Sequence, residues 1–170
     1  MGSIDGAELT IHVESVDWDD AGAVALREAM TAEMSLRYAD RFAARVEVPA
    51  DMAVKEDTVA YTAVAYTVGQ LPVGHAALRW LGADLELKRM YVAPSHRGKG
   101  VSVALLTAVE QATARLGAAR IVLQTGDRQP DAVRLYEKSG YTRIPIFAPY
   151  QALTYSNCYQ KLIPARGGER

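Results

Sequence analysis

Cysteine is nearly absent from this 170-residue chain, and charge of neither sign dominates it. Cys158 is the single thiol, so no disulfide can form within one chain, which is typical of proteins in a reducing compartment. The 19 basic and 20 acidic side chains give a net charge of −1, which provides no general attraction to nucleic acid or to anionic lipid. We therefore expect a cytoplasmic protein that binds neither nucleic acid nor membranes.

Long apolar runs, internal repeats and linkers are also missing from the sequence. No run approaches the ~18 apolar residues that would span a bilayer. The acidic segment Met1–Leu9 lacks the charged-then-apolar pattern of a secretion signal. With 49% hydrophobic residues, a chain of this length can bury a core without metals or disulfides. The sequence predicts one domain over residues 7–164, with flexible ends at 1–6 and 165–170.

Hydrophobic periodicity and turn residues predict an α+β domain. The expected order is a strand, a helical region, three strands, a helix, a strand, a helix and two strands. The expected strands are Thr10–Val16, Val59–Val68, Val73–Leu81, Leu85–Val92, Arg120–Leu123, Tyr141–Ile146 and Thr154–Leu162; the expected helices run from Asp19–Asp20 to about Ala44, over Val101–Leu116, and from Pro130 to a C-cap at Gly140. A right-handed parallel crossover should join the fourth strand to the fifth, and the other strand pairs should be antiparallel.

A glycine-rich loop joins the fourth predicted strand to the helix that follows it. In the run VAPSHRGKGVSVALL, Gly98 and Gly100 let the backbone approach a ligand closely. The first turn of a helix carries N–H groups without partners and a partial positive charge, so the loop suits a pyrophosphate. A glycine pair alone is more typical of an ordinary tight turn. The Walker pattern and the third glycine of a Rossmann fingerprint are both missing here.

Two segments resemble the GNAT superfamily of N-acetyltransferases. Arg97–Ser102 is similar to the pyrophosphate loop Q/R-x-x-G-x-G/A of that family, and the run AVRLYEKSGY is similar to its C-terminal segment A-x-x-L-Y-x-x-x-G-F/Y. The two stand at the separation usual in the family, and the resemblance covers about Thr58–Tyr159. This sequence departs from the pattern at Ser102, which replaces Gly or Ala, and at Gln129, which stands where many members have Asn.

The resemblance implies a GNAT-like, mixed and mostly antiparallel sheet flanked by helices, with a splayed parallel pair between the fourth and fifth strands. Acetyl-coenzyme A would enter the splay and act as co-substrate, held in part by main-chain hydrogen bonds along the fourth strand. No metal is implied. The expected cofactor-binding residues are Met90, Tyr91, Val92, Arg97, Gly98, Lys99, Gly100, Val101, Ser102, Gln129 and Tyr136.

The same resemblance implies two catalytic residues. Tyr136 matches the tyrosine that faces the coenzyme sulfur and serves as general acid, although its helical spacing alone would suit a core tyrosine. Glu86 matches the carboxylate that acts as base in histone acetyltransferases of the superfamily. It could equally be a solvated strand residue or a partner for Lys88 or Arg89. Asp84 and water remain alternatives for the base.

These residues predict acetyl transfer from acetyl-coenzyme A to a primary amine by direct attack. The acceptor stays open among aminoglycosides, polyamines, amino acids and the amines of peptides or proteins. The family pattern allows acceptor contacts from Glu33, Arg37, Tyr38, Tyr150 and Tyr155. Dimers are common in the family, so a homodimer is possible. A non-catalytic acyl-coenzyme A sensor and an interaction domain are the alternative functions.

Overall fold

Seven strands form one mixed sheet in the computed structural model, which describes residues 9–44 and 52–165. The strands are β1 (Ile11–Ser15), β2 (Val59–Thr67), β3 (Pro72–Leu81), β4 (Asp84–Val92), β5 (Arg120–Gly126), β6 (Thr142–Ile144) and β7 (Ser156–Leu162). Their order across the sheet is β1-β2-β3-β4-β5-β7-β6. Only the β4–β5 pair is parallel within the described ranges, because the chain crosses over between these strands through a helix.

Four α-helices accompany the sheet in the described part of the chain. They are α1 (Ala21–Arg37), α2 (Ala39–Ala43), α3 (Val101–Leu116) and α4 (Pro130–Lys138). Asp20 caps α1 by accepting a hydrogen bond from the N–H of Ala23. Gly117 ends α3 in the left-handed conformation. No helix in the described ranges is long and apolar enough to cross a bilayer.

The predicted fold class is confirmed, and the differences lie at element ends. The predicted first helical region divides at Tyr38, which ends α1 and precedes α2. Strand β6 ends at Ile144 because the next residue, Pro145, has no N–H to donate to a sheet. Pro49 and the predicted flexible ends fall outside the described residues, except for Ala165.

The main core lies between α3 and the sheet. Val101, Leu105 and Val109 on α3 are buried against strand residues such as Ala65 and Leu78. Gly74 on β3 lies directly beneath the first turns of this helix. A β-carbon at Gly74 would stand 2.8 Å from Cγ1 of Val101 and 2.9 Å from Cδ1 of Leu105. The lack of a side chain at position 74 therefore sets how closely the beginning of α3 approaches the sheet.

Gly74→Ala is expected to lower the free energy of unfolding by about 1–3 kcal/mol, because the added methyl group overpacks the contact between α3 and β3. Urea unfolding followed by circular dichroism measures this change. Gly69→Ala is the matched control, since a β-carbon there would meet only Oγ1 of Thr67 at 3.9 Å. If the two variants are equally stable, the proposed contact does not limit the position of α3.

Candidate functional site

Strands β4 and β5 pair over two residues only and then separate. Leu85 lies opposite Ile121 and Glu86 opposite Val122, and no further β4–β5 pair follows. The main chain of β4 beyond Glu86 therefore has no strand partner on its β5 side. A cavity of about 1120 Å³ fills the gap between the diverging strands, and residues of α1, α2, α3 and α4 complete its wall.

A β-bulge at Arg89 shapes the β4 wall of the cavity. The register with β3 changes between the pairs His75–Tyr91 and Ala77–Lys88, so β4 contains one extra residue there. Arg89 has a φ of 55°, which few residues other than glycine adopt. Nδ1 of the buried His75 donates a hydrogen bond of 2.8 Å to the Arg89 carbonyl and fixes the bulge. Bulges bend a strand, which is consistent with β4 turning away from β5 here.

The glycine loop and the first turn of α3 form one end of the cavity. Gly98 and Gly100 have φ values of 72° and 85°, a region that strains other residues. Gly100 precedes α3, and no side chain caps the N–H groups of the first turn. Nε of Arg97 donates to the Val92 carbonyl at 2.9 Å, and its Nη2 donates to Glu33 at 2.7 Å. These contacts hold a guanidinium on the rim beside unpaired N–H groups, which suits an anionic ligand.

Tyr136 on α4 lines the cavity from the opposite side and is 5% exposed. Its ring packs edge-on against Tyr141, with ring centroids 5.6 Å apart. Its hydroxyl makes no hydrogen bond with any residue in the described ranges. Burial raises the pKa of this phenol well above its usual range. Tyr136 therefore stays protonated at neutral pH and can donate a hydrogen bond into the cavity.

The C-terminal end of α1 closes over the end of β5. The Tyr38 hydroxyl accepts hydrogen bonds from the N–H of Arg128 at 3.3 Å and from Nε2 of Gln129 at 3.5 Å. A β-carbon at Gly126 would lie 2.1 Å from that hydroxyl, so only glycine allows this approach. Beside it, Thr125 is 6% exposed and its Oγ1 has no hydrogen-bond partner in the described part of the chain. Thr125 is also one of the residues that line the cavity.

Two ion pairs attach α2 to the loop after β5. Arg41 donates to both carboxylate oxygens of Asp127 at 2.8 Å, and Arg128 donates to those of Asp40 at 2.6 and 2.9 Å. Neighbouring guanidinium groups lower the pKa of both carboxyls, that of Asp40 to about 2. Both carboxylates therefore stay ionised throughout the neutral pH range, and both pairs keep their opposite charges.

Glu86 lies behind the cavity wall and does not line it. Its side chain is fully buried, and Nε of Arg79 donates to Oε2 at 2.7 Å. The hydroxyl of Tyr150 donates to the other oxygen, Oε1. Nζ of Lys88 donates to the Tyr150 hydroxyl at 2.8 Å and lies 3.9 Å from Oε1 of Glu86. The carboxylate thus reaches the cavity only through Tyr150 and Lys88.

Most of the predicted cofactor-binding residues line the cavity. Those that do are Met90, Tyr91, Val92, Arg97, Gly98, Val101, Ser102, Gln129 and Tyr136. Lys99 and Gly100 belong to the glycine loop but do not line the cavity. Of the residues considered for the acceptor side, Glu33, Arg37, Tyr38 and Tyr155 do, whereas Tyr150 is buried beside Glu86.

The other candidate residues, Asp84 and Cys158, do not line the cavity. Asp84 accepts two hydrogen bonds from Arg120 and lies away from the cavity. Cys158 is buried. Among residues 9–44 and 52–165, no group of three or more His, Cys, Asp or Glu side chains could hold a metal ion.

Among the cavity residues that sequence reasoning missed are Lys88 and Arg89. Two adjacent cations on β4, in a strand that also contains Asp84 and Glu86, were the available signal, and the sequence alone suggests only that they pair with Glu86. The bulge at Arg89 has no sequence signature. Burial lowers the pKa of both side chains, that of Lys88 to about 8.

The residues that line the cavity fit coenzyme A. The open edge of β4 offers main-chain groups to an amide-bearing chain, and the Thr125 hydroxyl has no hydrogen-bond partner among the described residues. The glycine loop and the α3 N-terminus offer N–H groups to a pyrophosphate.

The model of the Acetyltransferase (GNAT) family matches residues 23–141. This chain therefore belongs to the GNAT acetyltransferase family. Its structure is similar to that of a Klebsiella pneumoniae protein assigned as an acyl-CoA N-acyltransferase, with a TM-score of 0.72 and 25% identity over 91% of this chain and 98% of the other. PaiA N-acetyltransferase from Thermoplasma acidophilum, solved in complex with coenzyme A, shares the fold at a TM-score of 0.65 and 14% identity, over 91% of this chain and 99% of the other.

Curated relatives match over a shorter region. An IAA acetyltransferase from Azospirillum brasilense is 34% identical over 77 residues, which are 45% of this chain and 50% of the relative. Human N-acetyltransferase 8B is 36% identical over 77 residues, 45% of this chain and 33% of the relative. The match thus spans half or less of each of these two relatives.

Proposed function

We propose that this protein transfers the acetyl group of acetyl-coenzyme A to a primary amine by direct attack. The observation that carries the proposal is the cavity between β4 and β5, with an open strand edge on one side and a phenol donor on the other. The family assignment and the coenzyme A complex of the Thermoplasma relative support it. Following thiol release with a panel of amines tests it.

The cofactor contacts follow from the geometry of the wall. The main chain of Met90–Val92 would hold the pantetheine as an added strand, and the loop from Arg97 to Ser102 would hold the pyrophosphate, with Gln129 on the opposite rim. Lys99 and Gly100 would act by shaping the loop and adding charge. Acetyl-coenzyme A supplies the activated acetyl group as a thioester. These contacts fix it beside Tyr136.

Tyr136 would donate a hydrogen bond to the sulfur as negative charge develops there. An unperturbed phenol titrates near 10 and a thiol near 8.5, so full proton transfer to the thiolate is already uphill. Burial raises the pKa of Tyr136 further. The residue therefore serves as a hydrogen-bond donor more than as a general acid, and it remains protonated throughout the neutral and mildly alkaline range.

Tyr136→Phe is expected to lower kcat by about 10²–10³-fold at every pH from 6 to 9, because one donor to developing charge is lost. The dissociation constant for acetyl-coenzyme A should change little, since the ring remains. Stopped-flow measurement of a single turnover isolates the chemical step. The matched control is Tyr141→Phe, whose hydroxyl donates to Glu110 outside the cavity. Equal single-turnover rates for Tyr136→Phe and the parent would exclude this donor role.

The role of Glu86 as base stays a prediction, and its geometry favours a different role. The Glu86 carboxylate is buried and is hydrogen-bonded to Arg79 and Tyr150. It therefore does not contact an acceptor amine in the cavity. We propose that Glu86 is a positioning residue. It orients Tyr150, which in turn accepts the hydrogen bond from Lys88 on the cavity wall. Water would then remove the proton from the attacking amine.

Glu86→Gln is expected to lower kcat/KM on the order of 10-fold, because Lys88 and Tyr150 are displaced. Glu86 raises the pKa of Lys88, so removing the Glu86 charge lowers that pKa further. Lys88 then loses its charge earlier, and the deficit should grow as the pH rises from 6 to 8. A base would give the opposite trend, since the amine becomes neutral unaided at high pH. The pH profile of kcat/KM separates the two roles.

Thermal unfolding supplies the structural control for Glu86→Gln. Removing one member of a buried ion pair costs about 3–5 kcal/mol of stability. Asp84→Asn is the matched variant, and its partly exposed pair with Arg120 should cost less than about 1 kcal/mol. Kinetics of Glu86→Gln are therefore measured well below its melting temperature. A deficit that shrinks with rising pH under those conditions would restore Glu86 as the base.

Thiol release also separates transfer from the alternative of a non-catalytic acyl-coenzyme A sensor, which would bind without turnover.

We propose a cytoplasmic location, consistent with the single buried thiol Cys158. Whether the protein acts as a monomer or as the homodimer common in the family is measured by light scattering.

A further inference from the structure

The positively charged side chains on the cavity wall differ in whether they have acidic partners. Four arginines on the wall form ion pairs: Arg37 and Arg97 with Glu33, Arg41 with Asp127, and Arg128 with Asp40. Lys88 and Arg89 lie three to four residues before Val92 on β4, roughly 10–13 Å from Val92 along the strand. They therefore lie beyond the stretch expected to hold the pantetheine, on the side that remains for the acceptor.

Arg89 has no counter-charge among the described residues. Its guanidinium makes neither a hydrogen bond nor an ion pair there, although it is half-buried and lines the main cavity. Burial is the largest cause of its lowered pKa, and no carboxylate offsets that effect. A buried charge without a partner is costly, and an anionic ligand removes that cost.

The surroundings of Arg89 add to the positive charge. A smaller cavity under α1 is also lined by Arg89, together with Arg27 and the exposed Glu28. Arg27 stacks on Trp18 at 3.6 Å and donates to the Trp18 carbonyl and to Nε2 of His75, so its guanidinium is already occupied. Glu28 forms no ion pair with either arginine within the described ranges. Arg27 and Arg89 each face a like charge, which further favours an anion.

Lys88 lies next to Arg89, and its ammonium group already has some polar partners. Its ammonium donates to the Tyr150 hydroxyl and lies 3.9 Å from Glu86. One carboxylate, Glu86, is thus shared between Arg79 and Lys88, and none remains for Arg89. The two adjacent cations would repel a protonated amine and would attract an acceptor that carries its own negative charge.

We infer that the acceptor is an amine bearing a carboxylate, and that Arg89 is the residue that binds this carboxylate, with Lys88 beside it. The inference rests on the proposed acetyl transfer and narrows its acceptor. Amino acids and other amine-bearing acids fit the site. Polyamines and aminoglycosides, which are polycations, do not.

The test compares each acid with its carboxamide and its decarboxylated amine. Phenylalanine, phenylalaninamide and phenethylamine form one such set, with spermidine as the polycation. Rates are expressed per neutral amine, because the carboxylate itself changes the pKa of the amine. The parent protein is expected to favour the acid by at least about 10-fold in kcat/KM, the effect of one hydrogen-bonded charge.

Arg89→Gln is expected to lower kcat/KM for the acid by about 10–100-fold, mainly through KM, and to bring the ratio of acid to amide close to one. Arg89→Lys should retain part of the preference, because it keeps the charge but loses the planar fork. Arg115→Gln is the matched control: it removes one positive charge from an exposed position on α3, outside the cavity, and should leave the ratio unchanged.

Three outcomes contradict the inference in distinguishable ways. Equal losses for acid and amide in Arg89→Gln would make Arg89 a structural residue. Thiol release with amides or spermidine as readily as with acids would leave acetyl transfer intact and overturn the carboxylate site. No thiol release with any amine would overturn the proposed transfer, and the inference would fail with it.

Discussion

The separation of β4 from β5 after two paired residues is the constraint on which the site depends. A sheet that remained paired would satisfy its main-chain groups internally and leave no room between the strands. Here the pairing ends at Glu86 and Val122, and β4 continues with one edge open. The bulge at Arg89 bends the strand at this point. The cavity is therefore a property of the sheet itself.

Packing on either side holds this open arrangement in place. On one side α3 lies close to the sheet over Gly74, which positions the first turn of the helix beside the cavity. On the other side the end of α1 reaches β5 through Tyr38, where Gly126 leaves space for its hydroxyl. Both contacts need a residue without a side chain. Two glycines thus set the distances between the walls.

The charges differ along the cavity wall. Near the glycine loop Arg97 is paired with Glu33, and the helix N–H groups would supply the attraction for a pyrophosphate. Farther along β4, Glu86 satisfies Arg79 and holds Lys88 through Tyr150, and none of the described carboxylates pairs with Arg89. A pyrophosphate at one end and an acidic acceptor at the other would complement these charges.

The sequence predicts the fold well because its signals are local. The α3 boundaries, Val101–Leu116, agree with the hydrophobic stripe and the flanking glycines. Most of the predicted cofactor-binding residues, which line the cavity, follow from two motifs for the same reason. The placement of Glu86 does not, since which face of β4 points at the cavity depends on a bulge that the sequence does not mark. The role of Arg89 likewise depends on which carboxylates the fold brings near it.

Backbone amide hydrogen exchange tests the central claim, that coenzyme A binds as an added strand in the gap between β4 and β5. Adding acetyl-coenzyme A should slow exchange at the amides of Met90–Val92 that point toward β5 and at the first turn of α3. Amides in the β2–β3 hairpin, already paired in the sheet, should change little. Exchange that slows elsewhere while the Met90–Val92 amides stay unaffected would contradict the account.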